Sequence, residues 1–399
     1  MTGFMFATGV ENSAPVVASG KRLDELEACG HYARWREDFD CVQELGLQYL
    51  RYGPQLFSTF QGEGRYDWSF ADETFGELRR RGITPIADLC HFGVPDWIGD
   101  FQNPDFPRLF EGYARAFAQR YPWVQLFTPV NEMYICAKFS ALTGWWNEQL
   151  TGDRSFVTAL KHMVRANVLA MRAILEARPD AIFVQSESSE HYHAVLPSAI
   201  ERQDFHNRHR FLSLDLNYGH QVDAGMYQYL LDNGMTWEEY DFFQHNTTKS
   251  RCIVGNDYYP VSEQWVLPDG SLESAPDVLG YSEITRQYFD RYRLPVMHTE
   301  TNFAEAGDGA AVRWLRKEFA NVLRVREAGV PILGFTWYSI TDQVDWGIML
   351  REARGVVNAL GLFDLNRKIR PAGQAYKELV AGWRELTPVQ TGVLKMATG

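Results

Sequence analysis

Cysteine is scarce in this sequence, and long apolar runs are missing. Of 399 residues only five are cysteine (Cys29, Cys41, Cys90, Cys136 and Cys252), widely scattered and without a Cys-x-x-Cys pair. That pattern predicts reduced thiols rather than a disulfide framework. No stretch of about 18 apolar residues occurs, so no membrane-spanning helix is predicted. Residues 1–9 lack a basic stretch leading into a long apolar one, so no export signal is expected; with reduced thiols, this predicts a cytoplasmic protein. Basic residues are outnumbered, 39 Lys and Arg against 51 Asp and Glu, for a net charge of −12. A nucleic-acid partner, which needs a clustered basic surface, is therefore not expected. No G-x-G-x-x-G or G-x-x-x-x-G-K-[ST] turn is present to cradle phosphates, and no G-x-S-x-G elbow to carry a nucleophilic serine. Low-complexity tracts, linkers and repeats are absent as well.

Aromatic side chains, by contrast, are plentiful: 12 Trp, 19 Tyr and 25 Phe, 14% of the chain. Such rings either enlarge a core or line a site for flat, partly apolar ligands. An apolar fraction of 45% beside 23% charged residues is that of an ordinary globular protein. At roughly 150 residues per domain the length allows two or three domains. Short apolar runs alternate with longer amphipathic ones, however. Strands are expected at 4–8, 49–52, 83–89, 124–130, 181–185, 252–257, 295–298 and 332–337. Helical spacing fills 23–45, 71–81, 107–121 and 156–178, with similar sequence between the later strands. Near-continuous apolar strands separated by helices imply parallel βαβ units. Eight of them predict a single (β/α)₈ TIM barrel over residues 1–399, with an elaborated loop region after strand 5, at about 191–250. A doubly wound sheet is the alternative, disfavoured by the missing Gly-rich turn.

In such a barrel, chemistry gathers where strands end and loops begin. Read in order, those points hold Arg51, His91, Asn131-Glu132, Asp257-Tyr258-Tyr259, Glu300 and Trp337. Glu132 and Glu300 each follow an apolar run directly, so both project into one mouth. A protonated acid paired with a carboxylate is what cleavage of a glycosidic bond requires. Either glutamate taken alone is as well read as a salt-bridged structural carboxylate. The polar and aromatic company at the other strand ends favours chemistry.

Four runs carry a resemblance. Leu89-Cys90-His91-Phe92-Gly93-Val94-Pro95, Thr128-Pro129-Val130-Asn131-Glu132, His298-Thr299-Glu300-Thr301-Asn302 and the stretch from Trp337-Tyr338-Ser339 to Asp345-Trp346 resemble motifs of family 1 glycoside hydrolases. The order and spacing hold from Phe4 to about Trp383. The resemblance implies a retaining barrel glycosidase with Glu132 as acid/base and Glu300 as nucleophile. By the same resemblance Arg51 and Tyr259 hold the nucleophile, Asn131 meets the sugar 2-hydroxyl and His91 the 3-hydroxyl. Trp337 floors the sugar ring, and Asp345 with Trp346 faces the 4- and 6-hydroxyls. Departures stand beside the matches: Met133 for Pro, Thr301-Asn302 for Asn-Gly, Asp257 for Asn and Asp345 for Glu.

The expected activity is that of an exo-acting β-glucosidase or β-galactosidase on small β-linked glycosides. A transglycosidase with the same carboxylates and a catalytically silent carbohydrate-binding barrel are the alternatives. The expected partner is a small glycoside or oligosaccharide, with no cofactor and no metal. A phosphorylated sugar is disfavoured by Asp345, and no Ser/Lys cluster follows Trp346. Trp145-Trp146 serve equally as an aglycone platform or as loop packing. His191, His193, His206 and His209 lack a complete ligand set and read as a solvated loop. Glu187 and Glu190 read as local charge compensation.

Overall fold

In the computed structural model, which describes residues 3–305 and 307–386, eight parallel strands close into a barrel in sequential order. They are β1 (Met5–Gly9), β2 (Tyr49–Tyr52), β3 (Thr84–Asp88), β4 (Leu126–Thr128), β5 (Ile182–Ser188), β6 (Cys252–Asp257), β7 (Val296–Glu300) and β8 (Ile332–Trp337). β1 pairs with both β2 and β8, which closes the ring. The (β/α)₈ architecture is therefore present. The closing residues of the expected 1–399 barrel, from 387 on, lie outside the described residues.

Strand alternation explains why this barrel has a dry floor and a polar roof. Met5, Ala7, Ile86, Leu126, Val184, Ile253 and Met297 form one buried cluster inside the barrel, flanked by Tyr49, Ile182 and Leu333. Two positions further along β3, β5 and β6 the inward residues are Asp88, Ser186 and, beyond Gly255, Asp257, all buried. Successive inward positions thus change from packing to chemistry within one pleat. Outward-facing residues such as Phe6, Leu50, Ala87 and Phe127 join a second, larger core beneath the helices.

Helices cover the strands: α1 (His31–Glu44), α2 (Ser69–Arg81), α3 (Phe106–Arg120), α4 (Asp153–Ala177), α5 (Leu212–Tyr218), α6 (Gly280–Tyr292), α7 (Ala310–Glu327) and α8 (Pro371–Leu386). The expected helix over 23–45 is broken. A short turn, Glu25–Ala28, capped by the Asp24 side chain, precedes α1, and Gly30 between them sits at φ 72°. Glycine reaches that left-handed region without the penalty a Cβ would bring. After β5 the expected elaborated loop is mostly helical. A strand, His191–Ala194, is followed by Ile200–His209, α5, Ala224–Asp232 and Trp237–His245. Local capping starts the last two, through Asp223 on Gly225 and Met226 and through a Thr236–Glu239 capping box; these helices are short enough that the periodicity of each was hidden. Among the described residues no helix is long and apolar enough to cross a membrane.

Candidate active site

Each strand end delivers one side chain to the top of the barrel. Arg51, on β2, is 1% exposed and reaches across the barrel axis. Its Nη1 donates to Glu300 Oε1, and its Nη2 to Asn131 Oδ1 at 2.6 Å and Asp88 Oδ2 at 3.4 Å. The Tyr259 hydroxyl donates to Glu300 Oε2 at 2.7 Å. Both oxygens of Glu300 are therefore held, which fixes its orientation.

A bulge aims Glu300 inward. Between β7 and β6, His298 pairs with Asn256 and Glu300 with Asp257, so two residues of β7 advance against one of β6. Without that slip the inward Met297 and Thr299 would leave Glu300 facing the helices. Re-aiming a side chain next to an active site is a recurrent use of bulges.

Glu132 is positioned by a turn. It follows β4, sits at φ 40° and begins the helix Met133–Ala137. A non-glycine residue in the left-handed region is strained by about 1–3 kcal/mol. The surroundings hold it there: Glu132 N donates to Ser186 O at 3.1 Å, and the preceding Asn131 N to Cys90 O at 3.0 Å. Buried Glu187 accepts from Tyr134 N at 3.1 Å and satisfies the start of that helix. Met133, where the resembled motif has Pro, is the first helical residue and is buried; proline is tolerated at that same position.

One oxygen each of Glu132, Asp257 and Glu300 lies within 4.8 Å of the others. The Arg51 guanidinium supplies the positive charge of this cluster. No described side chain donates a hydrogen bond to the Glu132 carboxyl, whereas Glu300 receives two. Burial pushes the Glu132 pKa well above the usual carboxylate range, and Asp257 and Glu300 add like charge in the same direction. Glu132 is 7% and Glu300 4% exposed, so both remain reachable from the mouth.

His91 is held by Asp88, with Nδ1 2.8 Å from Oδ2, and its Nε2 lies 3.3 Å from Asn131 Nδ2. Burial is the largest single influence and opposes its charge, but Asp88, Glu11 and Glu300 together outweigh it and the His91 pKa is raised. Trp337 ends β8 fully buried, its indole N–H donating to Leu360 O at 2.9 Å. Asp345, at φ 57°, accepts from the backbone N–H groups of Arg354, Gly355 and Val356 at 2.7–2.9 Å. Both oxygens of its carboxylate therefore anchor a turn. Trp346 is half-buried, and its indole N–H is buried without a partner. The departures after the nucleophile have structural work: Thr301 Oγ1 accepts from Trp314 and Asn302 Nδ2 donates to Tyr338 O.

Some neighbours were not among the expected site residues. Asp88 orients both Arg51 and His91, and it was missed because the predicted strand ran on to Leu89. Glu11, buried after β1, accepts from Ser13 N at 2.9 Å and Gln343 Nε2 at 3.1 Å and lies 3.9 Å from His91 Nε2. The histidines after β5 are not a solvated loop. His193 pairs with Glu263 at 2.7 Å, His206 stacks on Tyr192, and buried His209 lies between Tyr134 and Tyr229. Glu190 does compensate a charge, that of Lys138 at 2.8 Å. Trp146 is wholly buried, and Trp145 packs on Phe139.

Two glutamates, one just after the fourth strand and one ending the seventh, share the barrel mouth, and the sequence profile of glycosyl hydrolase family 1 matches residues 16–249. The chain belongs to that family. It is a glycoside hydrolase. Beta-glucosidase A of Thermotoga maritima is 20% identical to it over 391 residues, spanning 88% of this chain and 86% of that one. The Escherichia coli 6-phospho-beta-glucosidase AscB is 22% identical over 370 residues, 80% of this chain and 76% of the relative. The solved Thermotoga maritima beta-glucosidase in complex with glucoimidazole superposes with a TM-score of 0.80 at 17% identity, covering 95% and 97% of the two chains. At that identity the superposition speaks for the fold.

Proposed function

We propose that this family 1 enzyme is a retaining, exo-acting β-glycosidase for small, unphosphorylated β-linked glycosides, with Glu300 as nucleophile and Glu132 as acid/base. The observation that carries the reading is the asymmetry of two adjacent carboxyl groups. Glu300 holds a donor on each oxygen, while Glu132 receives none and is pushed toward its protonated form by burial first, then by Asp257. One oxygen of each lies within 4.8 Å of one of the other. That close approach suits retaining glycosidases, whose pair is about 5–5.5 Å apart, better than inverting ones, which leave about 6.5–9.5 Å for an intervening water.

In the first step Glu132 gives its proton to the leaving oxygen as Glu300 attacks the anomeric carbon, breaking the glycosidic bond and forming a glycosyl ester. In the second, Glu132, now a carboxylate, takes a proton from water, whose oxygen displaces Glu300. Two inversions give net retention. Asn131 keeps one amide N–H beyond its contact with His91 and can meet the 2-hydroxyl. The unpartnered N–H of Trp346 is a donor left for a hydroxyl at the far end of the sugar, beside Asp345. Trp337, in this reading, is the floor for the ring.

The reading is for a neutral sugar, even though some relatives carry names such as 6-phospho-beta-glucosidase: by the family resemblance Asp345 stands toward the 6-hydroxyl, where its charge would oppose a phosphate, and no Ser/Lys cluster follows Trp346 to receive one. The barrel is read as one unit over the whole chain. Five free, buried thiols support a reducing compartment such as the cytoplasm.

A panel of nitrophenyl glycosides of both anomers, with and without 6-phosphate, identifies the sugar, and products formed with an added alcohol separate hydrolysis from transfer. The mechanism is tested with a 2-deoxy-2-fluoro β-glycoside carrying a good leaving group. Mass spectrometry should find one sugar on Glu300, and Glu300→Gln should abolish turnover. Label on another residue, or an inverted anomer as first product, would overturn the assignment.

A further inference from the structure

Three carboxyl groups meet where the reaction consumes two. Asp257 ends β6 wholly buried, and both its oxygens lie 2.7–2.8 Å from the Ser186 hydroxyl on β5. The tight seam below leaves it little freedom. A Cβ on Gly255 would come within 2.6 Å of Thr299 Oγ1 and 2.8 Å of Ser186 Cα. The charged and titratable groups that face Asp257 are Glu300 from β7, Arg51 from β2, Glu132 after β4, Tyr259 on its own loop and Tyr281 from α6. Those that face Glu132 are Asp257, Glu300, Glu187, Arg51 and Tyr259. Arg51 hydrogen-bonds Glu300 and not Asp257.

Glu132 and Asp257, side by side, thus compete for one negative charge. Their environments differ in one decisive respect: the Ser186 hydroxyl donates to Asp257, and no described side chain donates to Glu132. We propose that Asp257 is a positioning residue for the proton of Glu132. As pH rises, the first proton to leave the pair leaves Asp257, and the carboxylate so formed, beside Glu132, holds the acid/base in its protonated form to higher pH. Glu132 is pushed well up by burial and, next in size, by Asp257. Asp257 is itself pushed up by burial and by Glu300, so the pair is protonated in acid and titrates stepwise. An amide at this position could accept the Ser186 hydrogen bond but could never add the charge.

This inference rests on Glu132 being the acid/base, and the test separates the two. Profiles of kcat/KM against pH are measured on the phenyl β-glycoside of the sugar selected by the nitrophenyl panel, whose poor leaving group demands the proton. In Asp257→Asn the basic limb should move down by about one pH unit or more, the size expected for removing a neighbouring like charge. Ser186→Ala, which weakens the support for the Asp257 carboxylate, should move it the same way by less, and it serves if the first variant does not fold. A basic limb unmoved in both folded variants overturns the inference. Glu132→Ala, run at high enzyme concentration, is the control. If it keeps the wild-type basic limb, the acid/base assignment itself fails. If it loses that limb while Asp257→Asn and Ser186→Ala keep it, only the inference fails. A purely structural role for Asp257 would lower the plateau and leave the limb in place.

Discussion

Arg51→Met is the substitution whose cost can be worked from the structure. Methionine fills most of the arginine's length and removes its charge and all its donors. Arg51 is 1% exposed and is the cation that pairs with Glu300 and, at 3.4 Å, with Asp88. Breaking a buried pair by removing one partner costs about 3–5 kcal/mol, because the remaining charge is left uncompensated. With an unfolding entropy of about 2.1 cal/mol/K per residue, a chain of 399 residues loses roughly 1 °C per 0.8 kcal/mol. The expected fall in melting temperature at neutral pH is therefore about 4–6 °C. Coupling to Glu300 is the sharper reading. The penalty belongs to the unpaired charge left behind, so Arg51→Met should cost clearly less in a Glu300→Gln background than alone. Differential scanning fluorimetry of the four proteins at one pH and one scan rate measures this. Strictly additive losses would refute the electrostatic account and leave only lost packing.

Glu318, on α7, is wholly buried, and burial pushes its pKa up to about 7. A carboxyl whose folded pKa is raised gives stability that is full below its unfolded pKa and lost as pH rises through the folded one. Glu318→Gln should thus leave stability nearly unchanged near pH 4.5 and raise it by about 3 kcal/mol at pH 8; a gain confined to acid would contradict this. Gly255→Ala should destabilise by about 1–3 kcal/mol through overpacking of β5, β6 and β7, read from guanidinium midpoints; an unchanged midpoint would show that the seam can give. Glu132→Gln should slow hydrolysis of a phenyl glycoside by about 10²–10⁴-fold and that of a dinitrophenyl glycoside far less. Equal losses on the two substrates would deny it the acid's role.

Much of this protein was legible before any coordinates, because the signals were local. Eight apolar runs spaced by helical ones specify a parallel barrel: a strand buried on both faces must be apolar, and a parallel connection must cross over. The same logic put polar residues at strand ends, and Arg51, His91, Asn131, Glu132, Tyr259, Glu300 and Trp337 all stand there. Boundaries were less legible. The slip that turns Glu300 inward depends on how β7 pairs with β6, and a strand drawn through Leu89 hid Asp88. The helices after β5 were obscured because each is short, and only the last two carry a side-chain cap at their start. What tertiary structure alone decided is which carboxyl groups lie together. Asp257 was only a departure from a motif until Ser186, Glu132 and Glu300 were brought around it from three other strands. A pKa depends on burial and on charges across space, and neither distance nor burial is written in the order of residues.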